Sequence, residues 1–377
     1  MNVQQALPLI GGLSPATFMR RHWQKKPLVI RQAIPGFQPL LDRTELFAKA
    51  ASEDVESRLV VQKAVKSGPG WQMRHGPFER KSLPPLKQAG WTLLVQGMDL
   101  HDDAMHGLLN QFRFVPDARL DDLMVSYATD GGGVGPHFDS YDVFLLQAHG
   151  RRRWRIGKQK NLTLQPDVPL KILANFEPEE EFVLEAGDML YLPPRYAHDG
   201  IAEGECMTYS IGFRAPGAAE MAQEVLQRLA EGCADDGVGT LYRDPTQAAV
   251  ERSAEIPQAL GVFARAALEQ ALRDPLALAR ALGEHLSEPK ANVWFEDQED
   301  AQLQGAVRLD RRTRMLYDAH HVFINGEGFR ASGRDAKLMR ELADARMLDA
   351  KAVVLLSGPA RDLAQEWMEA GWLHDES

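Results

Sequence analysis

Cysteine is scarce in this sequence, which has only Cys206 and Cys233 among its 377 residues. Two cysteines are too few for the disulfide framework of a small secreted protein, and too few for a zinc site built from cysteine ligands. We therefore expect both residues to be plain thiols.

Long hydrophobic runs are also missing. No apolar stretch approaches the roughly 20 residues that a helix needs to cross a bilayer. The first residues, MNVQQALPLIGGLS, lack the basic run and long apolar core of a secretory signal. The sequence therefore predicts a protein without a membrane segment, and we expect it to reside in the cytoplasm.

The chain has no excess of basic residues. It carries 43 Lys and Arg against 53 Asp and Glu, which gives a formal net charge of -10 at pH 7. A negative balance opposes nonspecific binding to phosphate backbones and slightly favours basic partners. We therefore expect no direct binding to nucleic acid.

The composition is otherwise that of a globular protein, with 44% hydrophobic and 25% charged residues. A chain of 377 residues is long enough for two or three domains. Up to about residue 214 it is rich in short β-type runs, namely LMVSYAT, DVFLLQ, RRWRIG, DMLYLPP and MTYSIGF. Many short strands separated by turns indicate a β-barrel or a β-sandwich for residues 1–214.

The pattern becomes helical over residues 215–290. Met221, Val225 and Leu229 recur at every fourth position, and Asp274 before Pro275 is typical of a helix N-cap and first turn. Another helix carries an apolar stripe that consists of Leu260, Ala264, Ala267, Leu268 and Ala271. Helices are stabilised mainly by packing of such faces, and this short segment cannot easily bury every stripe within itself. We therefore predict a homodimer that uses the stripe.

Residues 291–377 mix strands and helices. The run RMLYDAHHVFINGEGFRAS predicts two paired strands joined at an Asn-Gly turn, and AVVLLSG is typical of a further strand. A last helix is expected around Trp367. The sequence thus predicts three domains, with boundaries near residues 214 and 290.

A candidate metal site begins in GGGVGPHFDSYDVFLLQAHGRRRWRI, residues 131–156, where His137 and Asp139 lie one residue apart. A lone His-x-Asp pair is weak evidence, but EAGDMLYLPPRYAHDG supplies His198 after an apolar strand and two prolines. In a barrel such a strand can return to face the first pair. Two imidazoles and one carboxylate with open positions match the ligand set of non-haem Fe(II) oxygenases. Catalytic zinc of the carbonic-anhydrase kind prefers three histidines and structural zinc a closed tetrahedron, so iron fits better.

Strand alternation in RRRWRIG separates its arginines. Arg152, Trp154 and Ile156 fall on one face, which should point into the barrel, and Arg151, Arg153 and Arg155 fall on the other, interpreted as a solvated basic edge. An inward arginine is costly without an anionic partner, and a dicarboxylate cosubstrate would supply one. In LMVSYAT, Ser126 lies opposite the apolar face, where it either binds the same carboxylate or is a satisfied core serine.

Further candidates concern a protein substrate. Tyr141 lies two residues beyond Asp139 and reaches the metal-facing side if the strand continues, where its ring can pack on a guanidinium. Asp130 and Asp142 are possible counter-charges, although a surface carboxylate is the better interpretation of each. The acidic run from Glu177 to Glu181 is interpreted as a solvated loop.

Together with the early run RHWQKKPLVIRQAI, these two motifs resemble the JmjC-type ribosomal oxygenases, in particular the bacterial ribosomal-protein arginine hydroxylases. The resemblance covers nearly the whole chain. It implies a mainly β fold with helices: a double-stranded β-helix barrel of the cupin/JmjC type, a helical dimerisation region and a C-terminal winged-helix-like domain.

The same resemblance implies the site and its activity. His137, Asp139 and His198 match the iron ligands, and Arg152 and Ser126 match the residues that anchor 2-oxoglutarate. The expected activity is an Fe(II)- and 2-oxoglutarate-dependent hydroxylation of the β-carbon of an arginine in the sixteenth protein of the large ribosomal subunit. Eukaryotic relatives hydroxylate histidine with the same iron site, so histidine is an alternative.

Two other classes of function remain open from the residues alone. JmjC-like barrels that lose a ligand can act as noncatalytic binding modules, but all three ligands are present here. A metal cupin isomerase is a further alternative, and it would not need Arg152 to face inward.

Overall fold

The computed structural model describes residues 2–65, 68–235 and 240–376; the side chains of residues 63–69 and 232–239, and with them Cys233, lie outside this description. The chain divides into two compact units, Met1–Ala215 and Pro216–Ser377. Within the described ranges, no helix has both the length and the apolar character that crossing a membrane requires.

The first unit is mainly β. Its helices are α1 (Pro15–Arg21), α2 (Arg43–Ala50) and α3 (Asp103–Asn110). Its strands are β1 (Leu28–Ile30), β2 (Ser57–Val65), β3 (Gly68–His75), β4 (Trp91–Val95), β5 (Leu120–Ala128), β6 (Val143–Gly157), β7 (Glu180–Leu184), β8 (Met189–Leu192) and β9 (Ala197–Phe213). The β-rich character predicted for this part of the chain is confirmed.

Two long strands, β6 and β9, form the centre of the sheet. The strand order is β1-β8-β6-β9-β5-β4-β2-β3, and β7 pairs with β6. The register of β6 on β9 shifts between Gln147 and Arg151, so each strand bends and serves two layers. The first half of β6 pairs with β8, and its second half pairs with β7. DVFLLQ and RRWRIG are therefore one bent strand rather than two.

Alternation along the second half of β6 decides which arginine enters the barrel. Arg152, Trp154 and Ile156 are buried, at 5%, 4% and 0% exposure. The three outward arginines form ion pairs: Arg151 and Arg153 with Glu203, and Arg155 with the buried Asp199. The expected solvated edge is confirmed for Arg151 and Arg153, whose side chains are 55% and 46% exposed, whereas Arg155 is half-buried; the neighbouring strand supplies a carboxylate to each arginine.

The acidic run Glu177–Glu181 is more structured than a solvated loop. Glu180 begins β7, Glu181 pairs with Arg153, and the carboxylate of Glu179 accepts a hydrogen bond from the backbone of Lys158 at 3.0 Å. Strand pairing and local ion pairs therefore engage much of this charge within the chain.

The second unit contains helices and short strands. Its helices are α4 (Ala218–Asp235), α5 (Gln258–Ala271), α6 (Pro275–Ser287), α7 (Gly333–Ala345), α8 (Ala350–Val354) and α9 (Gly358–Glu369). Its strands are β10 (Val307–Leu309), β11 (Met315–Tyr317), β12 (His321–Ile324), β13 (Glu327–Arg330), β14 (Met347–Leu348) and β15 (Leu373–Asp375). The hairpin predicted at the Asn-Gly turn is confirmed as β12 and β13, since Asn325 and Gly326 both have positive φ.

The strand predicted for AVVLLSG, residues 352–358, is wrong, because residues 352–354 belong to α8, residue 358 begins α9, and the residues between the two helices form a turn. The carboxylate of Asp349 accepts a hydrogen bond from the backbone of Ala352 at 2.8 Å and caps the helix, and Ala352 and Val353 pack into the core of the unit. A short apolar run is compatible with either a strand or a buried helix, and here the cap and the packing favour the helix.

The helices α4 to α6 differ in how much of their apolar surface is buried. Val225 and Leu229 of α4 pack with Ala281 of α6, as their spacing predicts. By contrast, α5 has no buried residue within the chain, and Leu260 and Leu268 are 39% and 62% exposed. Among the residues that the structure describes, none covers the apolar stripe of α5.

Candidate active site

The two histidines of the predicted metal site face each other across a backbone bridge. The amide of His137 donates to the carbonyl of His198 at 2.9 Å, and the amide of His198 donates back at 2.8 Å. This antiparallel bridge attaches the loop before β6 to the start of β9 and places the imidazole centroids 4.2 Å apart. The bridge leaves little space around it, because a Cβ at Gly133 would lie 2.6 Å from the carbonyl of Gly200.

Both imidazoles are oriented by backbone carbonyls. The Nδ1 atom of His137 lies 2.9 Å from the carbonyl of Gly135, and Nδ1 of His198 lies 3.1 Å from the carbonyl of Tyr196. A carbonyl only accepts, so each Nδ1 carries the proton and each Nε2 keeps its lone pair. The Nε2 atom of His198 lies 3.6 Å from a carboxylate oxygen of Asp139.

The donor set fits a divalent transition metal. One ligand atom from each of His137, Asp139 and His198 lies within 4.8 Å of the others. Burial, followed by the nearby His137, lowers the pKa of His198 to about 4. A neutral imidazole is the form that binds metal, so His198 is ready to coordinate at neutral pH. Two imidazoles and one carboxylate on one side of a site suit iron.

The three side chains open into a cavity of about 290 Å³. Its walls come from both layers of the sheet and from two loops. The polar lining residues are Arg58, Thr92, Gln96, Asp121, Asp122, Ser126, Tyr141, Arg152, Lys171, Thr208 and Ser210, besides the three candidate ligands. The cavity is therefore small, polar on several sides, and continuous with the candidate metal site.

Arg152 is a buried cation at the wall of this cavity. It is 5% exposed, its Nε atom has no hydrogen-bond partner, and Nη2 lies 3.6 Å from the sulfur of Cys206. Within the part of the chain that the structure describes, no carboxylate pairs with it. Since a buried unpaired charge is costly, the guanidinium suits an anionic ligand that enters the cavity. The hydroxyl of Ser126 lines the same cavity and donates to the carbonyl of Thr208 at 3.3 Å.

Trp154 closes the cavity next to His198. Its ring lies 5.9 Å from the imidazole of His198, and the guanidinium of Arg152 stands 5.8 Å from the indole. A Cβ at Gly200 would come within 2.7 Å of this indole, so glycine is required at that position. Alternation along β6 thus places Arg152 and Trp154 in one wall of the cavity.

Tyr141 lines the cavity, but not by the expected route. The strand does not continue to it, because β6 begins at Val143 and Tyr141 lies in the preceding loop. Burial, followed by the charge of Asp139 and of the two neighbouring aspartates 122 and 121, holds the pKa of Tyr141 above its ordinary range. The phenol therefore stays neutral and offers its ring face and its hydroxyl.

The acidic wall of the cavity was not found from the sequence. Asp121 and Asp122 line it, whereas Asp130 is exposed and accepts from the amide of Gly204 at 2.8 Å. Asp142 is completely buried, so the surface interpretation of that residue is wrong. Alternation carried back from Ser126 to Asp122 would have found the second acidic residue.

Two domain profiles match this chain. A JmjC domain covers residues 107–221, which contain all the polar cavity residues named above except Arg58, Thr92 and Gln96. A ROXA-like winged helix covers residues 269–374.

Similar proteins carry related names. The ribosomal protein uL16 3-hydroxylase of Escherichia coli is 36% identical over 338 residues, which cover 85% of this chain and 86% of that protein. A probable ribosomal oxygenase of Haemophilus influenzae is 38% identical over 212 residues, covering 55% of this chain and 52% of the relative.

Solved structures match the whole chain. The crystal structure of YcfD from Escherichia coli aligns with a TM-score of 0.81 at 30% identity and covers 96% of this chain and 98% of that one. YcfD, described as a ribosomal oxygenase, in complex with cobalt and 2-oxoglutarate aligns with a TM-score of 0.80 at 30% identity and covers 97% and 99%. The mainly β fold with helices and a C-terminal winged helix is confirmed by these comparisons.

Replacing Asp139 by Ala should abolish the turnover of 2-oxoglutarate, because it removes the one carboxylate of the candidate triad. Succinate formation with Fe(II) present measures this. The matched control is Asp130→Ala, which removes an exposed carboxylate of a nearby turn and should leave turnover unchanged. Undiminished turnover in Asp139→Ala would exclude this residue as a metal ligand.

Replacing Arg152 by Met should weaken 2-oxoglutarate binding by at least about 30-fold, since a buried carboxylate would lose its charged partner at a cost of about 2 kcal/mol or more. Titration of 2-oxoglutarate in the turnover assay gives the value. Arg153→Met, on the outward face of the same strand, serves as the control and should bind 2-oxoglutarate as the parent does. Equal affinities in the two variants would assign the anchor to another cation.

Proposed function

Because the chain belongs to the JmjC ribosomal-oxygenase family, we propose that it hydroxylates a large-subunit ribosomal protein, on the β-carbon of an arginine, with Fe(II) and 2-oxoglutarate. The observation that carries the proposal is the cavity that joins the His137, Asp139 and His198 cluster to the buried, unpaired guanidinium of Arg152. Relatives with this fold bear the names uL16 3-hydroxylase and ribosomal oxygenase, and one was solved with 2-oxoglutarate.

Different residues would bind the metal and the cosubstrate. In this proposal His137, Asp139 and His198 hold Fe(II) and leave positions open toward the cavity. Bound iron and 2-oxoglutarate would supply the oxidising power: one oxygen atom of dioxygen would enter succinate as 2-oxoglutarate loses carbon dioxide, and the other would enter a substrate C–H bond. Arg152 would bind the distal carboxylate bidentately, and the hydroxyl of Ser126, which donates to the carbonyl of Thr208 in this structure, would turn to donate to that carboxylate.

The remaining surface of the cavity suits an arginine side chain. The ring of Tyr141 can pack on a guanidinium, and Asp121 and Asp122 line the same wall. Asp121 pairs with Arg214 at 3.6 Å and Asp122 accepts from Gln96 at 2.7 Å, so the two carboxylates offer a guanidinium their remaining acceptor positions. A neutral histidine would gain less from this charge, so the acidic wall favours arginine over the histidine alternative. The retained ligand set argues against a noncatalytic binding module, and the inward Arg152 argues against a cupin isomerase.

We further propose that the protein works in the cytoplasm, where ribosomal proteins are made and assembled. Its net charge of -10 suits a basic protein substrate better than a phosphate backbone, so direct nucleic-acid binding is not part of the proposal. Residues 1–214, 215–290 and 291–377 are proposed as catalytic, dimerisation and winged-helix domains.

The hydroxylase activity is tested with a recombinant uL16 protein as substrate, analysed by tandem mass spectrometry after reaction with Fe(II) and 2-oxoglutarate. One added oxygen on an arginine is expected. Replacing Tyr141 by Leu should raise the KM for this substrate about five-fold, equivalent to loss of a cation–π contact of about 1 kcal/mol, without changing the KM for 2-oxoglutarate. Oxygen added only to a histidine would overturn the arginine assignment, and no added oxygen would overturn uL16 as the substrate.

The homodimer is proposed from the uncovered stripe of α5, Leu260, Ala264, Ala267, Leu268 and Ala271, since twofold pairing is the commonest way to cover such a face. Leu268→Arg should convert dimers to monomers, because the new side chain would bury an unpaired charge in the interface. Sedimentation velocity at micromolar concentration measures the state. Ala266→Arg, on the other side of the same helix, is the control and should remain dimeric. A monomeric parent protein would contradict the proposal.

A further inference from the structure

The early run RHWQKKPLVIRQAI, residues 21–34, contributes no residue to the cavity. Its strand β1 pairs with β8, with Leu28 opposite Tyr191. Just before β1, Trp23 stacks on the ring of Tyr191 at 6.1 Å, and the amide of Gln24 donates to the Tyr191 hydroxyl at 2.8 Å. The segment thus holds Tyr191 by both its ring and its hydroxyl.

The Tyr191 hydroxyl in turn donates to Asp142 at 2.6 Å. This carboxylate is 0% exposed, and its other oxygen accepts from the side-chain amide of Gln24 at 3.1 Å. Arg119, whose guanidinium stands 5.7 Å from the ring of Trp23, lies 3.7 Å from the same oxygen. A buried carboxylate is stable only when it is hydrogen-bonded and compensated, so these donors decide where Asp142 can lie.

Asp142 is the last residue of the loop that carries the site. Asp139, the candidate metal ligand, and Tyr141, the candidate substrate contact, precede it, and β6 begins immediately after it. At the other end of this loop the carbonyl of Asp139 accepts from the amide of Arg195 at 2.7 Å. The loop is therefore fixed at three points: the carbonyl of Asp139, the carbonyl of Asp142, which accepts from the amide of Phe213 at 3.2 Å, and the buried carboxylate of Asp142.

We propose that Gln24 and Tyr191 are positioning residues for the active site: through Asp142 they fix the loop that presents Asp139 to the metal and Tyr141 to the substrate. The roles of Asp139 as metal ligand and Tyr141 as substrate contact come from the proposed function, and this inference rests on it. It assigns a task to the N-terminal run that lies outside the cavity. We name the group Trp23, Gln24, Tyr191 and Asp142 the N-terminal brace.

The conformation of Gln24 supports this role. Its φ is 56°, in the left-handed region that is unfavourable for a residue with a side chain. Such a conformation persists where the surroundings determine it, and here the backbone and the side chain of Gln24 are both engaged by the brace.

The same run provides a matched control. Gln32 also has a positive φ, 48°, and its side-chain amide also approaches a buried carboxylate, that of Asp188 at 3.4 Å. Asp188 lies in the turn before β8 and not in the loop of the site. Gln32→Ala therefore removes a similar contact of the same segment without touching the loop that carries Asp139.

The test compares Gln24→Ala, Gln24→Glu and Gln32→Ala in the full chain. Mn²⁺ affinity is measured by electron paramagnetic resonance, and hydrogen exchange of residues 139–142 is measured without metal by mass spectrometry. Gln24→Ala should weaken Mn²⁺ binding about ten-fold, the size found for partners that orient metal ligands, and should speed exchange in this loop. Gln24→Glu keeps the shape but removes the donor and sets a second carboxylate against Asp142, so its effects should be larger.

Catalytic readouts then separate positioning from simple destabilisation. In Gln24→Ala, 2-oxoglutarate turnover should become uncoupled, with more succinate formed per hydroxylated product. The KM for 2-oxoglutarate should stay within about two-fold, because Arg152 and Ser126 lie on β6 and β5, away from the brace. Gln32→Ala should match the parent in every readout.

Equal Mn²⁺ affinity and loop exchange in Gln24→Ala and Gln32→Ala would overturn the positioning role. Tyr191→Phe, which keeps the packed ring and removes only the hydroxyl, gives a second test should the Gln24 variants fold poorly, and it should reproduce the loss of Mn²⁺ affinity. The metal and exchange measurements need no hydroxylation, so the brace can fail while the proposed function holds, and the reverse.

Discussion

The backbone bridge between His137 and His198 is the constraint on which the site depends. Two hydrogen bonds of 2.9 and 2.8 Å fix the start of β9 against the loop before β6, and with it the distance between the two imidazoles. The bridge requires close approach of the two segments, which is why Gly133 carries no side chain: its Cβ would lie 2.6 Å from the carbonyl of Gly200. The third ligand, Asp139, lies in the same loop as His137. A shift of register by one residue would turn the ligand side chains to the opposite face.

A second constraint is the treatment of charge along β6. The outward arginines each have a carboxylate on a neighbouring strand, whereas Arg152 is buried and has no carboxylate partner within the described residues. Folding therefore places a cation where only an anionic ligand can compensate it. The acidic residues Asp121 and Asp122 occupy the same cavity, so one wall suits a dicarboxylate and another suits a guanidinium. This division explains how one small cavity can hold both a cosubstrate and an arginine.

The sequence predicted those parts of the fold and site that depend on local periodicity. Alternation placed Arg152 and Ser126 toward the interior, and the spacing of Val225 and Leu229 predicted their helix packing. Prediction from the sequence failed where contacts between residues far apart in the chain determine the structure. Asp142 is buried because Gln24 and Tyr191, far along the chain, supply its donors, and no local pattern marks such a partner. Tyr141 reaches the cavity from a loop. The start of AVVLLSG is helical because the cap and the core contacts of α8 outweigh its β propensity.

We propose that one cavity binds iron and 2-oxoglutarate together through the three candidate ligands and Arg152. Anaerobic titration of the protein with Fe(II) and then with 2-oxoglutarate is the sharpest test, since a chelate of the cosubstrate on protein-bound iron absorbs weakly in the visible range. A band is expected only when both are added, and it should saturate at one iron per chain. Iron binding without such a band, at saturating 2-oxoglutarate, would overturn the shared cavity and would favour a metal cupin or a noncatalytic module.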